Sequence, residues 1–198
     1  PGVGYPAFFD EVRSIVVHDP LAEFLGAEEG GLIEYRYLDA VKLAGHSCPT
    51  VAAAYWTTLK ALERLYPDAL PERGGIRVDF RQDQLSGVTG VIANVVALLT
   101  GATHDTGFKG LAGHFDRRRL LYFSAEVAEE IRFTRIDNGQ AVDVAAQLQS
   151  VPFAPQTFAR LFPAESIPML LSLSQIGLIL FMFLVGLEFA PELMRGKK

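Results

Sequence analysis

The stretch from Ile167 to Leu187 carries no Asp, Glu, Lys or Arg, whereas the chain before it is charged every few residues. A helix of that length, rising about 1.5 Å per residue, reaches roughly 30 Å, the thickness of bilayer hydrocarbon. An apolar run of this kind is either a buried core helix or a membrane segment, and its length predicts the second. Ser172, Ser174 and Gln175 are its markedly polar residues, and each can bond to the helix backbone or to a neighbouring helix in lipid. The chain therefore divides in two. Residues 1–160 read as a folded domain and residues 161–198 as an apolar tail, with Pro152, Pro155 and Pro163 interrupting any regular pattern at the join.

Without residues 167–198 the front part holds 15 basic and 21 acidic residues, a net charge of −6, against −5 for all 198 residues. An acidic surface has no general attraction to phosphate backbones, so nucleic acid is not an expected partner. Hydrophobic residues make up 49% of the chain, with 14 Phe, enough to build a core and to exclude disorder. Its single cysteine, Cys48, cannot form an intramolecular disulfide, and Pro1-Gly2-Val3-Gly4 lacks the basic and apolar regions of a secretory signal. The expected location is a cytoplasmic domain, anchored to a membrane through residues 167–187.

Helical spacing over Phe8, Phe9, Val12, Ile15 and Val16 predicts a first helix that Asp19-Pro20 stops, followed by a short turn over Leu21 to Leu25. Leu32 to Tyr37 reads as strand and Leu38 to Ala44 as a short helix running up to Gly45. Val51, Tyr55, Leu59, Leu62 and Tyr66 fall on one face of a helix that Pro49 opens. Ile76, Val78 and Phe80 alternate with Arg77, Asp79 and Arg81, the period of a half-buried strand. A second core helix runs from Val88 to Leu99 and ends at Gly101. Three further strands are expected at Leu120 to Phe123, Ile131 to Ile136 and Ala141 to Leu148, the last two joined by a type I′ turn at Asn138-Gly139. The predicted fold is α+β: an antiparallel sheet packed against two core helices, then a single long apolar C-terminal helix.

Gly45-His46-Ser47-Cys48-Pro49-Thr50 carries the most chemistry. Pro49 puts Cys48 at or beside a helix N-cap, where free N–H groups and the helix dipole favour an anion and lower a thiol's pKa. A thiolate there is both nucleophile and soft-metal ligand, and His46, two residues away, can bind the same ion or move a proton. The plain structural alternative makes Cys48 a small buried hydrophobe and His46 a turn residue. Gly101 to Gly113 is glycine-rich and holds Thr103, His104, Asp105 and Lys109, the composition of a functional loop. Lys109 could receive a carboxylate or phosphate, although no nucleotide-binding fingerprint is complete. Arg117-Arg118-Arg119 reads as a solvated strand edge, and no Gly-X-Ser-X-Gly elbow is present for a hydrolase.

His46-Ser47-Cys48-Pro49 before a long helix resembles the signature of the FmdE family, which takes its name from a component of formylmethanofuran dehydrogenase. Asn94, then Thr100-Gly101-Ala102-Thr103, then Lys109-Gly110 resemble that family's second conserved region, and the likeness extends from Tyr5 to about Pro163. The resemblance implies a dimeric α+β domain with a crevice that binds a metal ion or acts on a small substrate, linked to one-carbon or redox metabolism. It implies Cys48, His46 and Lys109 as catalytic residues and Asn94 and Thr103 as cofactor-binding ones, to which the glycine-rich loop adds Asp105. A metal, zinc or alternatively iron, would sit on His46 and Cys48, and its third ligand is expected from His104, Asp105, His114 or a second subunit. This chain departs from the family at Ala102, where members often carry cysteine, at Asn94, where an acid is frequent, and at Thr50, where glycine is common. The frequent C-terminal zinc finger cannot be built from one cysteine.

The run from Leu173 to Phe189 resembles one transmembrane helix of the monovalent cation:proton antiporter family, over roughly Phe162 to Gly196. One helix builds no transport path, so no antiport activity follows. Arg195, Lys197 and Lys198 would hold the far end in the cytoplasm and push the front domain outside. The joining of two unrelated coding pieces resolves that conflict. The alternative function is a non-catalytic, membrane-tethered accessory module whose crevice carries or senses a ligand.

Overall fold

The computed structural model describes residues 4–147 and 167–193, with side chains of the C-terminal helix described at 168–169 and 171–184. The chain divides into two compact units, Pro1–Val151 and Pro152–Lys198. The first is α+β, with two sheets and several helices.

The predicted helix over Phe8 to Val16 does not form. A 3-10 turn occupies Ala7–Glu11, and strand β1 runs over Ile15–His18. Three β-branched residues in succession, Ile15, Val16 and Val17, favour a strand. Ile15 and Val17 are buried while Val16 is exposed, so the period is two. β1 pairs antiparallel with β2, Leu32–Tyr35. Asp19-Pro20 is also a correction: it starts a helix instead of stopping one. Asp19 caps α1, Pro20–Leu25, accepting from the N–H groups of Leu21 at 2.9 Å and Ala22 at 3.2 Å, with Pro20 at the first helical position.

The second sheet has four strands in the order β4, β3, β5, β6: Leu121–Tyr122, Ile76–Phe80, Ile131–Arg135 and Ala141–Val144. It is not purely antiparallel. β3 pairs antiparallel with β5, and β5 with β6, but β3 and β4 are parallel. A parallel pair needs a long crossover, and the chain between them supplies one containing α4, Thr89–Thr100. The β5–β6 hairpin differs from a type I′ turn, which requires φ > 0 at both central residues. Gly139 has φ 74° while Asn138 is not left-handed, and the turn closes instead through Gly139 N–H to Arg135 O and Arg135 N–H to Gln140 O. The third expected strand ends early, at Val144: residues 145–147 are not strand, and Leu148 lies outside the described residues.

Helix α2 spans Tyr37–Ala44 and α3 spans Pro49–Leu65; both pack on α4, and α3 also packs on β6. One core joins them: Val51, Tyr55 and Leu62 of α3, Val95 and Leu99 of α4, and Phe133 of β5 are all buried in it. Tyr55 carries its hydroxyl into that core with it, 2.8 Å from Arg13 O and 3.0 Å from Tyr35 O, which ties α3 to the smaller sheet.

In the second unit a helix, α5, runs over Ile167–Leu193. Its described apolar side chains between Met169 and Leu184 are exposed on all sides. Among the described residues no helix is long and apolar enough to cross a membrane. The spanning segment expected over 167–187 is not met among the described residues.

Candidate functional site

The His46-Ser47-Cys48 segment is the whole connection between α2 and α3, and each end is fixed by backbone chemistry. Gly45 ends α2 in the left-handed region at φ 76°, its N–H donating to Val41 O at 2.8 Å. Cys48 is the extended N-cap of α3 with Pro49 at the first helical position, and its carbonyl accepts the first helical bond from Ala52 N–H at 3.0 Å. Between them Ser47 is pinned from outside the motif: its Oγ lies 2.8 Å from the hydroxyl of Tyr37, a buried ring that packs edge-on against Phe9 and Tyr55. No local pattern announces this anchor, because Tyr37 lies ten residues upstream.

His46 is exposed, and its Nδ1 is 3.0 Å from Ala44 O. A carbonyl only accepts, so Nδ1 carries a proton and Nε2 is the nitrogen left for proton transfer or ligation. That Ala44 carbonyl, followed by the neighbouring Cys48 sulfur, raises the imidazole pKa above its ordinary value. Cys48 is half-buried and packs against the core. Burial pushes its thiol pKa up, but the Val51 N–H, the His46 side chain and the Thr50 N–H together outweigh it and hold the pKa below the ordinary value. No side-chain hydrogen bond closes the cap, so the backbone N–H groups act on the sulfur as partial positive charges at the helix end. The two shifts run in opposite directions, the imidazole's up and the thiol's down.

The other expected site residues lie on α4 and in the chain between α4 and β4. Asn94 is exposed on α4, and Lys109 is exposed in its loop. Thr103 is occupied structurally: its Oγ1 donates to Arg117 O at 2.6 Å, and its carbonyl accepts from Leu120 and Leu121. His104 and Asp105 pair with each other, Nδ1 to Oδ2 at 3.1 Å, both exposed. His114 is exposed in the turn that pairs with Leu111. Ala102 is fully buried. Among the described residues no hydrogen bond or ion pair joins any of these to His46 or Cys48, and no three His, Cys, Asp or Glu residues are grouped to hold a metal ion. Among the described residues Cys48 and His46 are thus two donors without a third, fewer than the three or four that zinc sites in proteins supply.

One cluster lies outside every motif in the sequence. Arg117, expected on a solvated edge, is 5% exposed, and its Nη2 donates to Asp19 Oδ1 at 2.6 Å. The other Asp19 oxygen accepts from Arg73 Nη1 at 2.9 Å, and Arg73 also donates to Leu98 O in the last turn of α4. Arg118, beside it, behaves as expected of a surface residue and pairs with Asp116. The signal that could have found the cluster is Asp before Pro, which marks a helix start as readily as a stop. Comparison with protein-family models, curated proteins and solved structures finds no match.

Proposed function

We propose that the chain is an FmdE-like domain that acts on a small substrate at the start of α3, with Cys48 as thiolate nucleophile and His46 as the group that stabilises the thiolate and moves its proton. The observation that carries this reading is the placement of the sulfur at the N-cap of a 17-residue helix, two residues from an imidazole whose Nδ1 is held on Ala44 O. The reading needs no third ligand, which the two-donor geometry lacks, and it requires a reducing compartment because an oxidised Cys48 would be inert. Lys109, Asn94 and Thr103 enter it only through the family resemblance, and Asp105 only through its place in the glycine-rich loop.

The test is the rate of Cys48 alkylation by iodoacetamide against pH, in the wild type and in His46→Ala. The wild-type midpoint is expected below the value of about 8.5 for free cysteine, and the variant's midpoint is expected to move back toward it. A wild-type midpoint at or above about 8.5 overturns the reading.

A second reading concerns the tail. Helix α5 exposes large apolar side chains all round, among them Met169, Leu178, Phe181 and Leu184. A helix without a polar face has no stripe to lay into one soluble groove, whereas lipid covers every side equally. This supports a tethered domain whose tail associates with a bilayer and has no transport activity of its own.

A further inference from the structure

We infer that Asn138 is a spontaneous modification site, converted through Gly139 to isoaspartate or aspartate, and that the β5–β6 turn holds this reaction shut until the hairpin opens. The chain has two asparagines, Asn94 and Asn138. Asn94 lies inside α4 and precedes Val95, whose β-branched side chain crowds its own backbone nitrogen. Asn138 precedes Gly139, which has no side chain to hinder its nitrogen, and both residues are exposed to water. In the reaction the Gly139 nitrogen attacks Asn138 Cγ. An N–Cγ bond forms, the Cγ–Nδ2 bond breaks, and Nδ2 leaves as ammonia with the proton that Gly139 gives up. Water then adds across one of the two C–N bonds of the five-membered imide. Opening at Cγ gives aspartate, and opening at the main-chain carbonyl of residue 138 gives isoaspartate. Either way an uncharged side chain becomes a carboxylate.

The turn withholds the nucleophile. Gly139 N–H donates to Arg135 O at 3.0 Å, so the nitrogen must leave that bond before it attacks. Asn138 Oδ1 accepts from Gln140 N–H at 2.9 Å, which fixes the side chain that has to turn. Arg135 N–H donates to Gln140 O at 2.8 Å and closes the same loop. Opening of the hairpin releases these bonds together. Isoaspartate cannot restore them unchanged, because it carries the main chain through one extra carbon. The loop it lengthens also anchors α3: Arg135 stacks on Tyr66 at 4.1 Å, donates to Leu65 O at 3.0 Å and pairs with Asp137, next to which the new carboxylate appears.

The inference is independent of the chemistry at Cys48. The full chain is incubated at neutral pH, folded in buffer and unfolded in guanidinium chloride. The tryptic peptide 136–160 is followed by mass spectrometry for the gain that exchange of an amide for a carboxylate brings, and isoaspartate is detected by enzymatic methylation. Conversion is expected to run at least about tenfold faster in the unfolded chain, and to be absent from Asn138→Gln. Refolded chain enriched in isoaspartate at 138 is expected to unfold at a lower urea concentration than unmodified chain. Equal rates in the two states, no conversion in the unfolded chain, conversion at Asn94 ahead of Asn138, or an unchanged urea midpoint after modification would each overturn the proposal.

Discussion

Gly74 is a residue whose identity is dictated twice. Its φ is 88°, a conformation that side chains rarely adopt, and a Cβ built on it would lie 1.7 Å from Arg117 Nη1 and 2.3 Å from its Cζ. The buried guanidinium rests on the bare glycine, so any side chain there must displace an ion pair with no room to move. Gly45 offers the control. It is equally left-handed at φ 76°, but nothing lies within 4 Å of a Cβ placed on it. Gly45→Ala is expected to cost about 1–2 kcal/mol, the left-handed penalty alone. Gly74→Ala adds overpacking of about 1–3 kcal/mol. Urea unfolding of the two variants measures the difference, and equal losses would show that Arg117 yields freely. The same contrast explains why Gly45 can shape the turn into His46 without constraining what surrounds it.

At the scale of elements, Asp19 connects the cap of α1, the segment before β3, the last turn of α4 and the chain leading into β4. Burial alone would raise its pKa, but the Arg73 hydrogen bond, the Arg117 charge and the Ala22 N–H outweigh burial and hold it below the ordinary carboxylate value. The folded pKa is therefore lower than the unfolded one. The stability this carboxylate contributes is fully present above the unfolded value and is lost as pH falls through the folded one. Asp19→Asn leaves the buried Arg117 and the part-buried Arg73 guanidinium groups without their counter-ion, and Arg117 Nε and Nη1 already have no partner among the described residues. A loss of about 3–5 kcal/mol is expected at neutral pH. The gap between wild type and variant should hold constant above about pH 5 and narrow below about pH 4. A gap independent of pH would show that the charge of Asp19 contributes nothing.

The cluster also shows what is legible from sequence and what is not. Elements with strong periodicity, α3, α4 and β3, stand where the spacing of Val51 to Leu62, Val88 to Leu99 and Ile76 to Phe80 puts them. The Cys48 cap is readable because Pro49 is a local signal. Partners from far along the chain are not: Asp19 and Arg117 are 98 residues apart, and each alone looks like a surface residue. β1 escapes through a period ambiguity over four residues, and the parallel β3–β4 pair escapes because β4 is only two residues long.

On the scale of the whole molecule, the two units make opposite demands on solvent. Unit Pro1–Val151 closes its own core around α3, α4 and the four-stranded sheet, with Val51, Tyr55, Val78 and Phe133 inaccessible to water. Helix α5 leaves Leu178, Ile179, Phe181 and Phe183 each more than half exposed. Water penalises each such side chain by about 1.5–3 kcal/mol relative to burial, so a helix that collects many of them gains strongly from any apolar phase. If that gain belongs to α5 alone, residues 1–151 expressed without the tail should be soluble and unfold cooperatively. Their midpoint should stay within a few degrees of the full chain's. In a sucrose gradient with phosphatidylcholine vesicles, the full chain should float with the lipid and residues 1–151 should remain at the bottom. An insoluble fragment would mean that the tail completes the front core, and a full chain that stays at the bottom would mean that α5 finds its cover in protein and not in lipid.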